Sequence, residues 1–353
     1  MTNLLAVSLL GAVYAGLFAW AFRTLPREEW QILAAIPRSR QSNGWWTGFN
    51  LTYYGLFTAT GVTVAVATVF VLMAALKVPL AITSWVVLLL LVCAVPAAKI
   101  VARLVEGKPN TFTVGGAVFV GVVLAPWVMF GINSVYAAAE QPVVLGIPIV
   151  PAMAILAIAY ALGEGTGRLG CISFGCCYGK PLAELPSWIS RLFGTYHFSF
   201  AGSTKKAAYE GRLEKMPVIP IQGITAVLFV AAGLLGLSLF LEGRAVAAFV
   251  VVWPFTQVWR AVSEMLRADF RGGGWMSSYQ ILALVGAIYG LGIVLFVSEH
   301  ESSVPELALG LHTLWHPGVI LSLQLIWVAM FLYTGRSKVT ASHLAISVAR
   351  DQI

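Results

Sequence analysis

The chain has 353 residues, of which 59% are hydrophobic and 10% charged, with a mean hydropathy of +0.85. Ordinary soluble domains are about 45–50% apolar and about 25% charged, so the composition excludes a soluble globular enzyme and, equally, a disordered chain. The net charge of +7 rests on Lys and Arg spread through short connecting segments, which points to a lipid bilayer and its headgroups and away from nucleic acid.

A helix needs roughly 20 apolar residues to cross the hydrocarbon core. Runs free of Asp, Glu, Lys and Arg fall at about 4–22, 51–75, 78–98, 111–131, 143–163, 218–241, 276–298 and 313–335. The first has no basic residue ahead of it, and Arg23 follows it, so it reads as an uncleaved span rather than a signal peptide. A shorter run, 245–259, continues into Arg260, Ala261, Val262, Ser263 and Glu264 and ends at the membrane edge. The reading is all-α: a polytopic bundle of about nine transmembrane helices. The longest connection, 164–217, is too short to bury a core of its own. Inside it Leu185, Trp188, Ile189, Leu192 and Phe193 recur at helical spacing, ahead of Lys205, Lys206, Arg212 and Lys215. Two readings stay open there, an interfacial helix beside anionic headgroups or a solvated loop with an apolar anchor.

Charges near bilayer depth are costly and mark sites. Two clusters qualify. GEGTGRLGCISFGCCYGKP, Gly163 to Pro181, follows the fifth run, with Glu164 and Arg168 four apart on one helical face. WRAVSEMLRADFRGG, Trp259 to Gly273, places Arg260, Glu264 and Arg267 on one stripe, with Asp269 and Arg271 beyond. Guanidinium groups grip phosphate through a planar fork and stay charged in a low dielectric. Two Arg-bearing helix ends on one side of the membrane would clamp a phosphodiester between them, with Glu264 holding Arg260. The plainer alternative is a set of interfacial ion pairs that anchor helix ends. Cys171, Cys176 and Cys177 lack C-x2-C spacing and have few histidines nearby, so neither a metal nor a cofactor is expected. They read as a redox pair, a nucleophilic thiol or small packing residues. Cys93 lies mid-helix and reads as packing.

These segments resemble, in order, those of the prolipoprotein diacylglyceryl transferase family. GRLGCISFGCCYG is similar to the family signature. Tyr53-Tyr54-Gly55-Leu56 resembles its Trp-Tyr-Gly-Leu, Thr113-Val114-Gly115-Gly116 its His-Gly-Gly helix start, and Pro220-Ile221-Gln222 its Pro-Ser/Thr-Gln segment. Arg260 through Arg267, with Ser278 and Gln280, resembles its Arg-x3-Glu-x2-Arg helix and the helix start that follows. The resemblance covers about 51–297, a seven-helix core. Residues 1–50 then add a helix and a basic loop, and 298–353 add a helix and a tail.

The resemblance implies an inner-membrane transferase that takes phosphatidylglycerol, or a related anionic phospholipid, and moves its diacylglyceryl group to the cysteine thiol of a prolipoprotein acceptor. Tyr54, Arg168, Gly179, Arg260 and Glu264 match functional positions. With the charge clusters this gives Arg260, Glu264, Cys176 and Glu164 as catalytic candidates, and Arg168, Arg260, Arg267, Tyr54, Gly179 and Gln222 as phospholipid-binding ones. Three positions depart from the pattern: Val114 stands at the family's His, Cys171 at its Asn and Cys176 at its Glu. A different acceptor, cytosolic or lipid, is therefore the alternative, and a non-enzymatic scaffold or transporter the third.

Orientation separates the first two. With nine spans, the connections 23–50, 99–110, 164–217, 260–275 and the tail after 335 carry 20 of the 22 Lys and Arg, and the opposite set carries Lys77 and Arg244. The positive-inside rule puts the motif face in the cytoplasm; the resemblance implies the periplasmic face.

Overall fold

A computed structural model describes residues 3–106, 114–138, 146–269, 275–297 and 304–352. Thr113 and Arg271, named above, lie outside them. Among the described residues nine helices are long and apolar enough to span a membrane: α1 (Asn3–Thr24), α2 (Tyr53–Ala75), α3 (Leu80–Glu106), α4 (Val114–Ala138), α5 (Ile149–Phe174), α8 (Ile221–Leu241), α9 (Ala245–Met265), α10 (Ser278–Phe296) and α12 (Pro317–Thr334). Between them lie the short helices α6 (Ser187–Phe193), α7 (Lys206–Tyr209) and α11 (Leu307–Thr313). The chain is an all-α polytopic membrane bundle.

The expected boundaries hold to within a few residues at most ends; α3 and α4 run on past their expected ends at 98 and 131 to Glu106 and Ala138, and α5 differs most. Its run was expected to stop at 163, but the helix continues to Phe174, so the connection starts at Gly175 and not at 164. Glu164 and Arg168 are no helix stop because they neutralise each other one turn apart, and the face they share looks into protein rather than lipid. Helix α5 is buried along nearly its whole length and packs against α2, α8 and α9. The α2–α5 crossing is close enough that a Cβ on Gly61 would lie 2.5 Å from the Gly163 carbonyl oxygen, the small-residue contact expected between membrane helices. Outside this group α1 lies on α8, and α12 on α2.

The sequence reading missed a sheet. Strands β1 (Ile32–Arg40), β2 (Trp46–Thr52) and β5 (Arg336–Leu344) pair antiparallel in the order β1-β2-β5, with Ile36 opposite Phe49 and Phe49 opposite Ala341. The first basic loop and the tail thus fold together. Thr52 joins the sheet to the bundle: its side chain accepts the Gly55 N–H at the start of α2 and donates to the Gly335 carbonyl at 3.1 Å. A second, two-stranded pairing links β3 (Phe198–Ser199) to β4 (Pro217–Val218).

Of the two readings for 185–193, the helix forms. Leu185, Ile189 and Phe193 pack on Leu182, Ile219 and Ile221, while Trp188 and Leu192 stay exposed. Lys205, by contrast, faces no headgroup. It is fully buried, and its Nζ donates to the Leu25 and Ser173 carbonyls at 2.9 and 2.6 Å, tying the end of α1 to the end of α5. Burial lowers its pKa to about 7, against the opposing pull of Glu29 and Glu28. At the other end of the bundle, Lys77 pairs with Glu306 at 2.6 Å and Arg244 with Glu242 at 3.8 Å.

Candidate active site

At the basic end a cavity of about 220 Å³ opens between α2, α3, α4, α5 and α9, with Met330 of α12 also on its wall. Glu164, Arg168 and Cys171 follow one another on α5 at i, i+4 and i+7 and share the face turned into it. Tyr54 comes from α2, Tyr160 from one turn earlier on α5, Arg260 from α9 and Arg267 from just past its end. Glu164 serves two guanidinium groups: its Oε1 lies 2.5 Å from Arg168 Nη2 and 3.6 Å from Arg260 Nη1. Arg260 Nη1 also donates to the Tyr160 hydroxyl at 3.2 Å. Arg168 Nε is buried without a hydrogen-bond partner among the described residues.

Across Tyr160 lies a second cavity of about 140 Å³, walled by apolar side chains from Leu90 to Trp253. The Tyr160 ring sits edge-on to Phe229 and Trp253 while its hydroxyl faces the arginines. Tyr160 therefore lines both a charged chamber and a greasy one.

Behind the charged wall runs a collar of saturated contacts. Arg267 donates to Asp269 through two nitrogens, at 2.8 and 2.7 Å, and to Glu264 Oε1 at 3.2 Å. Burial opposes its charge, but Cys177, Asp269 and Glu264 outweigh that and hold its pKa above the ordinary arginine range. Gly179 bridges Arg267 as a strand would, with Lys180 N–H on the Leu266 carbonyl and Ala268 N–H on the Tyr178 carbonyl. A Cβ at Gly179 would fall 2.4 Å from the Ile219 carbonyl oxygen.

The cysteines meet through backbone geometry. Gly175 adopts φ +70° at the end of α5, its N–H bonds the Ile172 carbonyl, and the Cys176 N–H bonds the Cys171 carbonyl. This is the Schellman ending, which needs a residue at ease in the left-handed region. It folds Cys176 back beside Cys171, and Cys177, itself at φ +56°, turns the third thiol inward. The three Sγ atoms lie within 4.8 Å of one another, Cys176 and Cys177 at 4.0 Å. Hydrogen bonding among the thiols, then burial, pushes Cys176 above the usual thiol range.

Of the residues singled out from sequence, the structure brings Tyr54, Glu164, Arg168, Arg260 and Arg267 onto one wall. It places Glu264, Cys176, Gly179 and Gln222 behind it. Glu264 does not hold Arg260, as the stripe suggested; it holds Arg267, and Arg260 takes its carboxylate from α5. Gln222 is buried and donates Nε2 to the Cys176 carbonyl at 2.9 Å, while its side-chain Oε1 has no hydrogen-bond partner among the described residues. Val114 and Cys171, two of the departures noted above, lie on the wall itself. Sequence reasoning missed Tyr160, although its spacing of four to Glu164 and eight to Arg168 was the available signal, and gave Asp269 no role.

The family model for prolipoprotein diacylglyceryl transferase matches residues 45–296, which takes in α2 through α10 and every residue of this wall except Met330. The chain belongs to the prolipoprotein diacylglyceryl transferase family. Among relatives, it is 29% identical over 136 residues to phosphatidylglycerol–prolipoprotein diacylglyceryl transferase 2 of Clostridium perfringens, covering 37% of this chain and 46% of that one. It is 31% identical over 136 residues to phosphatidylglycerol–prolipoprotein diacylglyceryl transferase of Clostridium tetani, covering 37% and 47%. The chain thus spans somewhat under half the length of the curated relatives it matches. Among the described residues seven long helices fall in the family region, and α1 and α12 flank it.

Proposed function

We propose that the chain moves the diacylglyceryl group of phosphatidylglycerol to the cysteine thiol of a prolipoprotein. The observation that carries this is the convergence of Arg168, Arg260 and Arg267 on one cavity wall, next to an apolar chamber across Tyr160. The phosphodiester lies against the arginines and an acyl chain beyond Tyr160. Arg260 is the principal ligand, because its one carboxylate contact, a 3.6 Å share of Glu164, is the longest ion pair on the wall, and its other partner, the Tyr160 hydroxyl, is neutral; both are easily exchanged for phosphate. Displacement at the glyceryl carbon expels glycerol phosphate, whose charge grows in the transition state, and arginines already in place stabilise it without reorganising. Glu164 positions Arg168 and Arg260 and limits the cost of burying them.

The test is mass spectrometry of products after incubating the purified chain with phosphatidylglycerol and a lipobox peptide. A diacylglyceryl thioether and free glycerol phosphate are expected. Lipid turnover with an unmodified peptide would transfer support to the second reading, an acceptor other than a prolipoprotein. That reading has one specific support, the gathering of basic connections at the motif end. Family analogy puts the chain in the bacterial inner membrane with this end outward. Tyr196 is 78% exposed there, so a Tyr196→Cys variant in intact cells reports the face. Labelling by an impermeant maleimide above the parent level supports the outward face and the prolipoprotein acceptor; labelling only after permeabilisation supports the cytosolic one.

A further inference from the structure

The transfer proposed above needs its acceptor thiol as a thiolate, and the wall offers little to take the proton. Among the described wall residues Glu164 is the one carboxylate, already shared by Arg168 and Arg260, and none is a histidine. What the wall does offer is sulfur. Cys171 and Cys177 line it directly, and Cys176 closes the group from behind.

We infer that Cys171, Cys176 and Cys177 bind one Zn2+ ion whose fourth coordination position opens into the cavity and takes the acceptor thiol. The metal site stands on its own geometry; its role in the reaction rests on the lipid-transfer reading. Zinc is held by thiolates at about 2.3 Å in a tetrahedron, which puts neighbouring sulfurs about 3.8 Å apart. The Cys176–Cys177 separation of 4.0 Å is close to that, and the widest separation, within 4.8 Å, needs a contraction of about 1 Å. Three thiolates on Zn2+ leave a net charge of −1, and the cationic surroundings suit it: Arg168 and Arg267 share the wall with Cys171 and Cys177, and Lys206 lies in the field of Cys176 and Cys177. Three protein ligands with an open position is the pattern of a catalytic rather than a structural zinc.

The chemistry balances without a base on the wall. A thiol that binds zinc is deprotonated outright, its proton passing to solvent. The zinc-held sulfur forms the C–S bond at the glyceryl carbon while the C–O bond to phosphate breaks, and the bonding pair leaves on glycerol phosphate beside the arginines. The thioether formed is neutral, a weaker ligand than the thiolate, and is released. Zinc keeps its oxidation state throughout.

The test uses the full chain in detergent. After loading with Zn2+ and removal of excess, about one zinc per chain is expected, and Co2+ in its place should give an intense thiolate-to-metal charge-transfer absorption. Cys171→Ser, Cys176→Ser and Cys177→Ser should each weaken zinc binding by roughly 100-fold or more. Should those variants fail to fold, alkylation of the wild type reads the same site: zinc should protect three thiols from N-ethylmaleimide, while Cys93 on α3, outside the group, should react to the same extent with and without zinc. Absence of bound zinc and of the cobalt absorption, zinc retained by all three variants, or a disulfide within the group in protein that binds no zinc would overturn the site. Undiminished thioether formation by zinc-stripped protein would overturn its role while leaving the lipid-transfer reading intact. Zinc bound stoichiometrically by a chain that transfers no lipid would overturn that reading and leave the site standing.

Discussion

Arg260 and Arg267 lie seven residues apart on one stripe, and their surroundings differ in kind. Arg267 has a bidentate pair with Asp269 and a further contact to Glu264, all at 3.2 Å or less. Arg260 has a phenol at 3.2 Å and a 3.6 Å share in a carboxylate that Arg168 holds more closely. Both line the cavity, and the same contrast runs between the collar, which Arg267 joins from the wall, and the rest of the wall. In the collar the charges are saturated: Lys205 satisfies two helix-end carbonyls, and Arg267 has two carboxylates. On the wall donors remain, Arg168 Nε among them. A saturated guanidinium holds structure, whereas one with donors to spare is placed to hold a ligand.

The largest effect should come from breaking the collar. Arg267→Ala removes from Glu264 and Asp269, whose side chains are nearly buried, the guanidinium they share, a loss of about 3–5 kcal/mol, read as a fall in thermal midpoint in detergent. Replacing all three residues together by apolar side chains of similar volume should recover most of it, since the desolvation cost goes with the charges. Unchanged stability in Arg267→Ala would mean that this arginine, like Arg260, is free to hold a ligand.

Lys205 gives the collar a pH signature. Its pKa is about 7 in the folded chain and about 10.4 when unfolded, so between those values the unfolded chain binds the extra proton. Stability should therefore rise from about pH 7 to about pH 10 and stay flat for this group below 7, where both states are protonated. Lys205→Met should remove that rise. The difference between wild type and variant, measured as thermal midpoint against pH, isolates this group from the tyrosines and thiols. Equal slopes would mean that the buried amine stays charged.

For the wall, Arg260→Lys should keep the fold and lower diacylglyceryl transfer about 100-fold or more, because an ammonium keeps the charge and loses the fork. The measurement is turnover at saturating phosphatidylglycerol, with the thermal midpoint as control. Wild-type turnover would mean that Arg260 merely anchors a helix end.

How much of this was legible follows from what helical spacing can and cannot say. Hydropathy located the long helices, because spanning lipid demands unbroken apolar runs. It cut α5 short at Glu164, since a one-dimensional reading cannot see a charge neutralised on a protein-facing side. Spacing showed that Glu264 could meet Arg260, but not that Glu164 would arrive from another helix first. The thiol cluster was invisible for a similar reason: C-x4-C-C matches no metal spacing until Gly175 takes φ +70° and folds the turn. The three-stranded sheet was missed because Arg336–Leu344 is a polar segment without an alternating pattern, far in sequence from its partner.

Gln222 provides the smallest effect and the finest test of the two-layer comparison. The family resemblance marked it as a lipid ligand, yet it is 1% exposed, lies off the cavity wall, and spends its amide on the Cys176 carbonyl. In Gln222→Leu that hydrogen bond is lost, which costs about 1 kcal/mol. The substitution also removes a side-chain oxygen that is buried with no partner among the described residues, and this offsets part of the loss. The net change in stability should be under about 1 kcal/mol, with KM for phosphatidylglycerol unchanged. Any functional effect should instead reach the cysteine turn and appear as faster alkylation of Cys176 and Cys177. A rise in KM for lipid with the turn undisturbed would bring Gln222 forward onto the wall.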